Sequence, residues 1–179
     1  MAMKRLIIFS GTLLLAAAVF AFNIVSPLWK ITEKYNVAFS SNEVGGIFKS
    51  FKGTINFDEA NLAVSNFDVT VDVASIQTGN ALQNKHAKSD EWFDAAKYPV
   101  IHYVSKKIVK AGAGYQVTGD LEIHGVKKEF TIPFNFVRKG NAATFNGTFN
   151  VNRNDFHIGK PGGDVADVIK VELAVPVTK

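Results

Sequence analysis

Glu129-Phe130-Thr131-Ile132-Pro133-Phe134-Asn135-Phe136 alternates without a slip: Phe130, Ile132, Phe134 and Phe136 fall on one side, Glu129, Thr131, Pro133 and Asn135 on the other. Successive side chains of a strand point to opposite faces, so this stretch reads as a strand with one wet and one buried face. The same rhythm runs outward in both directions. Downstream, Phe145, Phe149 and Val151 alternate with Asn146, Thr148 and Asn150, and Ile169, Val171, Leu173, Val175 and Val177 alternate with Lys170, Glu172, Ala174 and Pro176. Upstream, Val117, Leu121 and Ile123 alternate with Thr118, Asp120 and Glu122, and Phe67, Val69, Val71 and Val73 with Asp68, Thr70 and Asp72. Strands with one polar face belong to antiparallel sheets.

Shorter runs at Leu28–Ile31, Asn36–Phe39, Lys52–Phe57 and Pro99–Ile108 bring the total to roughly eight or nine strands. Gly112, Gly125 and Gly140 sit in hairpin-like links. Pro133 and Pro176 lack a ladder donor, which places their strands at an edge or a bulge. Two segments depart from the alternation. Ser40 with Glu43 fits a capping box ahead of Ile47, Phe48 and Phe51, predicting a short helix that Gly53 ends. Asn80 to Asp94 carries a second cap, Asn80 with Gln83, and an apolar end, Trp92-Phe93; it is expected to cross one end of the sheet. Eight or so amphipathic strands need a second layer or closure on themselves. The expectation is all-β: an antiparallel barrel of about eight strands with one or two short helices, a β-sandwich being the alternative.

The chain has 179 residues, a one-domain length, and no cysteine, so neither disulfides nor thiolate chemistry hold or serve it. Lys4 and Arg5 precede an apolar run from Leu6 to Ala21, the pattern of a secretory signal peptide over residues 1–21, with an uncleaved anchor as the competing reading. Residues 22–179 then form the domain. Without Lys4 and Arg5 the 20 basic residues become 18 against 16 acidic ones, a net +2. That balance leaves no electrostatic footprint for nucleic acid.

No constellation for catalysis stands out. The chain has no G-x-S-x-G elbow, and His86, His102, His124 and His157 are scattered without metal-ligand spacing. Neither catalytic nor metal residues are expected. The stretch Gly159-Lys160-Pro161-Gly162-Gly163-Asp164 lacks P-loop spacing and reads as a loop at the barrel mouth, which Arg153 and Asp155 could clamp. Its 15 phenylalanines are the compositional signal. Those on strands fall repeatedly on the buried face, where they either fill a dry core or wall a cavity for a long apolar guest.

The chain resembles the YceI-like polyisoprenoid-binding family from Trp29 nearly to its end. The resemblance rests on Gly46-Ile47-Phe48-Lys49-Ser50-Phe51-Lys52-Gly53, on Val71-Asp72-Val73-Ala74-Ser75-Ile76, on Asn84-Lys85-His86-Ala87 through Trp92-Phe93-Asp94, on Thr118-Gly119-Asp120-Leu121, and on Asn152-Arg153-Asn154-Asp155-Phe156. The chain departs from the family pattern where a His-Ser pair is missing after Trp29, and where His157 replaces a frequent glycine. The resemblance implies a lipocalin-like barrel, periplasmic or secreted, that is no enzyme and needs no cofactor. Its ligand would be an isoprenoid lipid or quinone tail. A homodimer and proximity to a membrane are further expectations. Candidate tail contacts are Phe39, Ile47, Phe48, Phe51, Phe67, Val69, Phe130, Phe134, Phe145 and Phe149. A ligand-free interaction protein with a filled barrel is the alternative.

Overall fold

The computed structural model describes residues 28–179; the expected signal peptide lies outside the described residues. In chain order the strands are β1 (Leu28–Ile31), β2 (Asn36–Ser40), β3 (Gly45–Phe48), β4 (Phe51–Asn56), β5 (Asn66–Asp72), β6 (Ile76–Gln77), β7 (Val100–Ala111), β8 (Gly114–Ile123), β9 (Val126–Lys139), β10 (Ala142–Asn152) and β11 (Val168–Thr178). One helix, α1 (Ala81–Ala87), lies between β6 and β7. The sheet runs β1-β4-β5-β7-β8-β9-β10-β11 and returns from β11 to β1, every pairing antiparallel. β2, β3 and β6 prolong the wall of β1, β4 and β5: β11 also pairs with β2, β2 with β3, and β3 with β6. Six short strands thus act as three creased ones, and the closed barrel has eight strands.

The crease follows one line across the wall, and its freed main-chain groups find partners there. Tyr35 donates its hydroxyl to the Lys49 carbonyl at 2.7 Å and accepts from the Phe51 N–H at 3.1 Å. The Ser50 N–H donates to Ser75 Oγ at 3.0 Å, and Lys49 N–H to the Ser75 carbonyl at 3.2 Å. Pro176 stands opposite the break between β1 and β2, where its carbonyl accepts from Thr32 N–H at 3.0 Å. The side of Pro176 that lacks a donor therefore faces an interruption in the ladder, as its sequence position predicts.

The later strands are longer, and β7 to β10 are joined by two-residue turns. His124 and Gly125 both take positive φ, 53° and 74°, the type I′ geometry whose twist matches the flanking strands. The Asn80 cap is also realised: its side chain accepts from Leu82 and Gln83 N–H at 2.9 and 3.1 Å. The segment beyond α1 then lays Phe93 edge-on against Phe48, with centroids 6.1 Å apart.

The helix expected after Ser40 does not form. Ser41 Oγ accepts from the N–H groups of Glu43 and Val44, so the capping chemistry makes a tight turn between β2 and β3 instead. Gly45-Gly46 disfavours a helix, and pairing supplies what a helix would not. A Cβ on Gly46 would lie 2.5 Å from the Gln77 carbonyl oxygen and 2.8 Å from the Phe39 ring. Only a bare backbone fits in the strand at that point.

The core is organised around Phe57, which is 1% exposed. Its ring meets Phe67, Tyr115, Phe134, Phe136 and Phe145 at 4.9–6.1 Å, mostly edge-on. A smaller cluster of Val37, Phe48, Val71 and Ile76 sits toward the other end, with Phe93 against it. Phe57→Ala is expected to cost ~3–5 kcal/mol in equilibrium urea unfolding, because five rings lose a shared partner. His157, which ends the 3-10 turn Arg153–Phe156 at φ 56°, ψ 36°, occupies a left-handed conformation that costs a side-chain-bearing residue about 1 kcal/mol. His157→Gly should raise the urea midpoint by a corresponding fraction.

Candidate functional site, an apolar lumen

Between the two clusters the barrel holds a void of about 180 Å³. Alternation dictates its wall: inward positions along the middle of the long strands are apolar, and the charge lies on outward positions and at strand ends. Of the residues expected to meet a tail, Phe39, Phe48, Phe51, Phe67, Val69, Phe134, Phe145 and Phe149 line this void. Ile47 does not; it points outward from β3 and is 37% exposed. That follows from the strand replacing the expected helix, since Phe48 then takes the inward face alone. Phe130 lies on the inward face of β9 but is absent from the lining, and packs instead on Phe149 with centroids 5.6 Å apart.

Sequence reasoning centred on phenylalanine and missed aliphatic lining, notably Ile55, Val117, Leu121, Ile123, Leu173 and Val175. Their period-two positions beside the aromatic ones were the available signal. Tyr103 was missed too. It is 6% exposed and shares its hydroxyl between the carbonyls of Val117 at 3.0 Å and Phe130 at 3.2 Å. Burial pushes its phenol well above the ordinary range, and the Asp120 carboxylate adds to the rise. No charged side chain lines the void, and the only polar side chains among the lining residues are Asn146 and this neutral phenol. Such a wall can exclude water and pack against methylenes; it offers no acid–base pair for proton transfer.

Side chains are packed at both ends. At one, Trp29 donates its indole N–H to the Phe57 carbonyl at 2.9 Å and carries Arg138 and Lys179 over its ring at 5.7 and 5.1 Å. At the other, Phe93 and Ile101 pack on the smaller cluster. Outside the lumen, Arg153 is 3% exposed and is spent on structure. Its guanidinium reaches the carbonyls of Ile158, Lys160, Val165 and Ala166 at 2.8–3.1 Å, and Asp167 at 2.9 Å. The expected clamp therefore exists with a different acid: Asp155 pairs instead with Lys128, at 3.1 Å. The histidines have separate partners, His86 with Glu91, His102 with Asp68, and His124 with the Phe156 carbonyl. Among the described residues no three His, Asp or Glu side chains gather in metal-holding range.

The YceI-like domain model matches residues 29–177. A Vibrio parahaemolyticus protein of the UPF0312 group is 37% identical over 143 residues, 76% of this chain and 75% of that protein. The crystal structure of Burkholderia cenocepacia BcnA superposes with a TM-score of 0.78 at 32% identity, covering 81% of this chain and 97% of that one. A domain from Saccharophagus degradans, described as polyisoprenoid-binding and implicated in plant cell wall breakdown, shares the fold at a TM-score of 0.61 and 16% identity, over 86% and 94% of the two chains.

Tyr103 yields a pH signature. Its folded pKa lies above the unfolded value, so its contribution is complete below pH ~10 and is lost as pH rises toward the folded value. Urea midpoints should therefore fall above about pH 10, and less so in Tyr103→Phe, which at neutral pH should lose only ~1 kcal/mol with its hydrogen bond.

Proposed function

This chain belongs to the YceI-like family, and from that premise we propose that it is an exported, non-enzymatic protein that sequesters or carries an isoprenoid-type lipid inside its barrel. The observation that carries the reading is a void of about 180 Å³ with no charged side chain on its wall. An apolar cavity of ~150 Å³ is already large enough to stay dry and take up benzene, so this one offers a firm seat to part of a chain. Each buried methylene contributes ~0.8 kcal/mol. An isoprenoid or quinone tail brings many methylenes and no charge, and the eight lining residues Phe39, Phe48, Phe51, Phe67, Val69, Phe134, Phe145 and Phe149 are its proposed contacts.

The basic start and apolar run of residues 1–21 support delivery to the periplasm or beyond. There a lipid carrier works near a membrane, and pairing with a second copy is part of the same proposal. The polyisoprenoid-binding description of the Saccharophagus degradans domain supports the choice of ligand class through the shared fold.

Native mass spectrometry of protein purified from its own host without detergent, followed by organic extraction, tests this directly. The expected result is a one-to-one adduct that releases a compound of isoprenoid mass, with the extracted protein melting at a lower temperature. A ligand present at about a hundred times its Kd adds ~2.7 kcal/mol to the folded state. A clean ligand-free mass with unchanged melting after extraction would overturn the proposal in favour of an interaction protein built on a filled barrel.

A further inference from the structure

The wall of the lumen is not laced along its whole length. β9 has 14 residues and β10 has 11, yet they pair only between Lys139–Ala142 and Phe134–Gly147. Beyond that point β9 continues to pair with β8 as far as Val126, and β10 with β11 as far as Asn152. The two strands part while each keeps its other neighbour. Barrels close so that no strand edge is left unpaired, and here two half-edges face each other.

The parting is written into the residues beside it. Pro133 adjoins the last pair, and its carbonyl oxygen lies 3.1 Å from where a Cβ on Gly147 would stand. In a strand the N–H and C=O of one residue point the same way, so the donorless side of Pro133 faces β10 where the ladder stops. Gly147 faces inward with no side chain to plug the gap. Past it stand Phe130 and Phe149, both half-buried, with rings 5.6 Å apart and inclined at 61°. Both rings lie on the inward side of their strands, Phe149 in the lining of the lumen and Phe130 packed against it, so the pair bridges the gap between the parted strands. An open depression of about 760 Å³ on the outer face is lined in part by Phe134, Gly147 and Leu173, which also line the lumen. At the far end the split is bridged again, by Lys128 to Asp155 at 3.1 Å and by His124 Nδ1 to the Phe156 carbonyl at 3.2 Å.

We infer that this split between β9 and β10 is the lateral portal through which an apolar chain passes into and out of the lumen, with Phe130 and Phe149 as its gate. The inference rests on the lipid-carrier reading and adds the route. Side chains are packed at both barrel ends, Phe57 with Trp29 at one and Phe93 on Phe48 at the other. The split needs only two rings to turn, breaks no hydrogen bond of the β9–β10 ladder, and is flanked on its outer side by Thr131, Thr148 and Asn150, with Glu129 beside Phe130 turned away to Lys106. Side-chain rotation is fast and cheap next to unfolding a plug that five rings hold in place.

The chain contains no cysteine, which makes a covalent bar across the gate a clean test. Full-length Phe130→Cys/Phe149→Cys protein is loaded with radiolabelled farnesol, a short isoprenoid alcohol. Half is then bridged with a short bis-thiol reagent, and release into phosphatidylcholine vesicles is followed. Bridging should slow release on the order of tenfold or more while leaving the amount bound at loading unchanged. A matching bridge in Ile76→Cys/Phe93→Cys, which pins the covered end at residues outside the lumen lining, should leave release equal to that of its own unbridged protein. Equal release from bridged and unbridged gate protein, or slowing by the end bridge instead, would overturn the portal while leaving the carrier reading intact. Failure of the wild-type chain to load any farnesol would overturn both, and is told apart by the absence of label at the first step.

Discussion

Closure of this barrel depends on β11. Its residues pair with β10 along one side and, on the other, with β2 through Lys170–Ala174 and with β1 through Val177 and Thr178. The two ends of the domain are thereby sewn together by main-chain hydrogen bonds, with no covalent staple in a chain that lacks cysteine. Every inward side chain gains its neighbours from that closure: Val175 and Val177, at 3% and 1% exposure, are buried because β11 has strands on both sides. An open sheet with the same sequence would leave one edge unpaired and one apolar face uncovered.

A hollow barrel is less stable than a filled one. At ~24 cal/mol per Å³, a void of 180 Å³ forgoes ~4 kcal/mol of packing, a large share of a domain's usual margin. The structure offsets it at the ends. The rings around Phe57 interlock edge-on with centroids as close as 4.9 Å, an arrangement that adds to simple burial, and cations cover the outer face of Trp29. Density is thus concentrated around Phe57 and Trp29 and withheld along the middle. A stable scaffold with an underfilled centre is the trade-off expected when function needs the space.

Strand identity and facing were legible from sequence because alternation is local: the faces of Phe130–Phe136, Phe145–Val151 and Ile169–Val177 follow from residue order alone. Three features were not. The crease at Tyr35, Lys49 and Ser75 joins residues up to 40 positions apart, 75 less 35, and no window of sequence contains it. The Ser40–Glu43 capping box did not form: Ser40 is paired in the sheet and Ser41 makes the turn bonds instead, as tertiary context overrides weak propensity. The candidate site was legible as a face and not as a surface. Phe130 and Phe149 both sit on inward parity, and only the parting of β9 from β10 sets one inside the lumen and the other at its wall.

The many bonds of Arg153 carry a different implication, for how freely this protein can change. Residues 153–167 contain little regular structure after their opening turn, and the segment takes its shape from one guanidinium that grips carbonyls at Ile158, Lys160, Val165 and Ala166. Pro161 to Asp164 lie between two of those grips and outside them. A stretch whose ends are fixed by a buried hand can lengthen at a chain-closure cost of only ~0.6 kcal/mol per doubling. The barrel therefore carries a socket at its rim in which new sequence can be written without asking the strands to move.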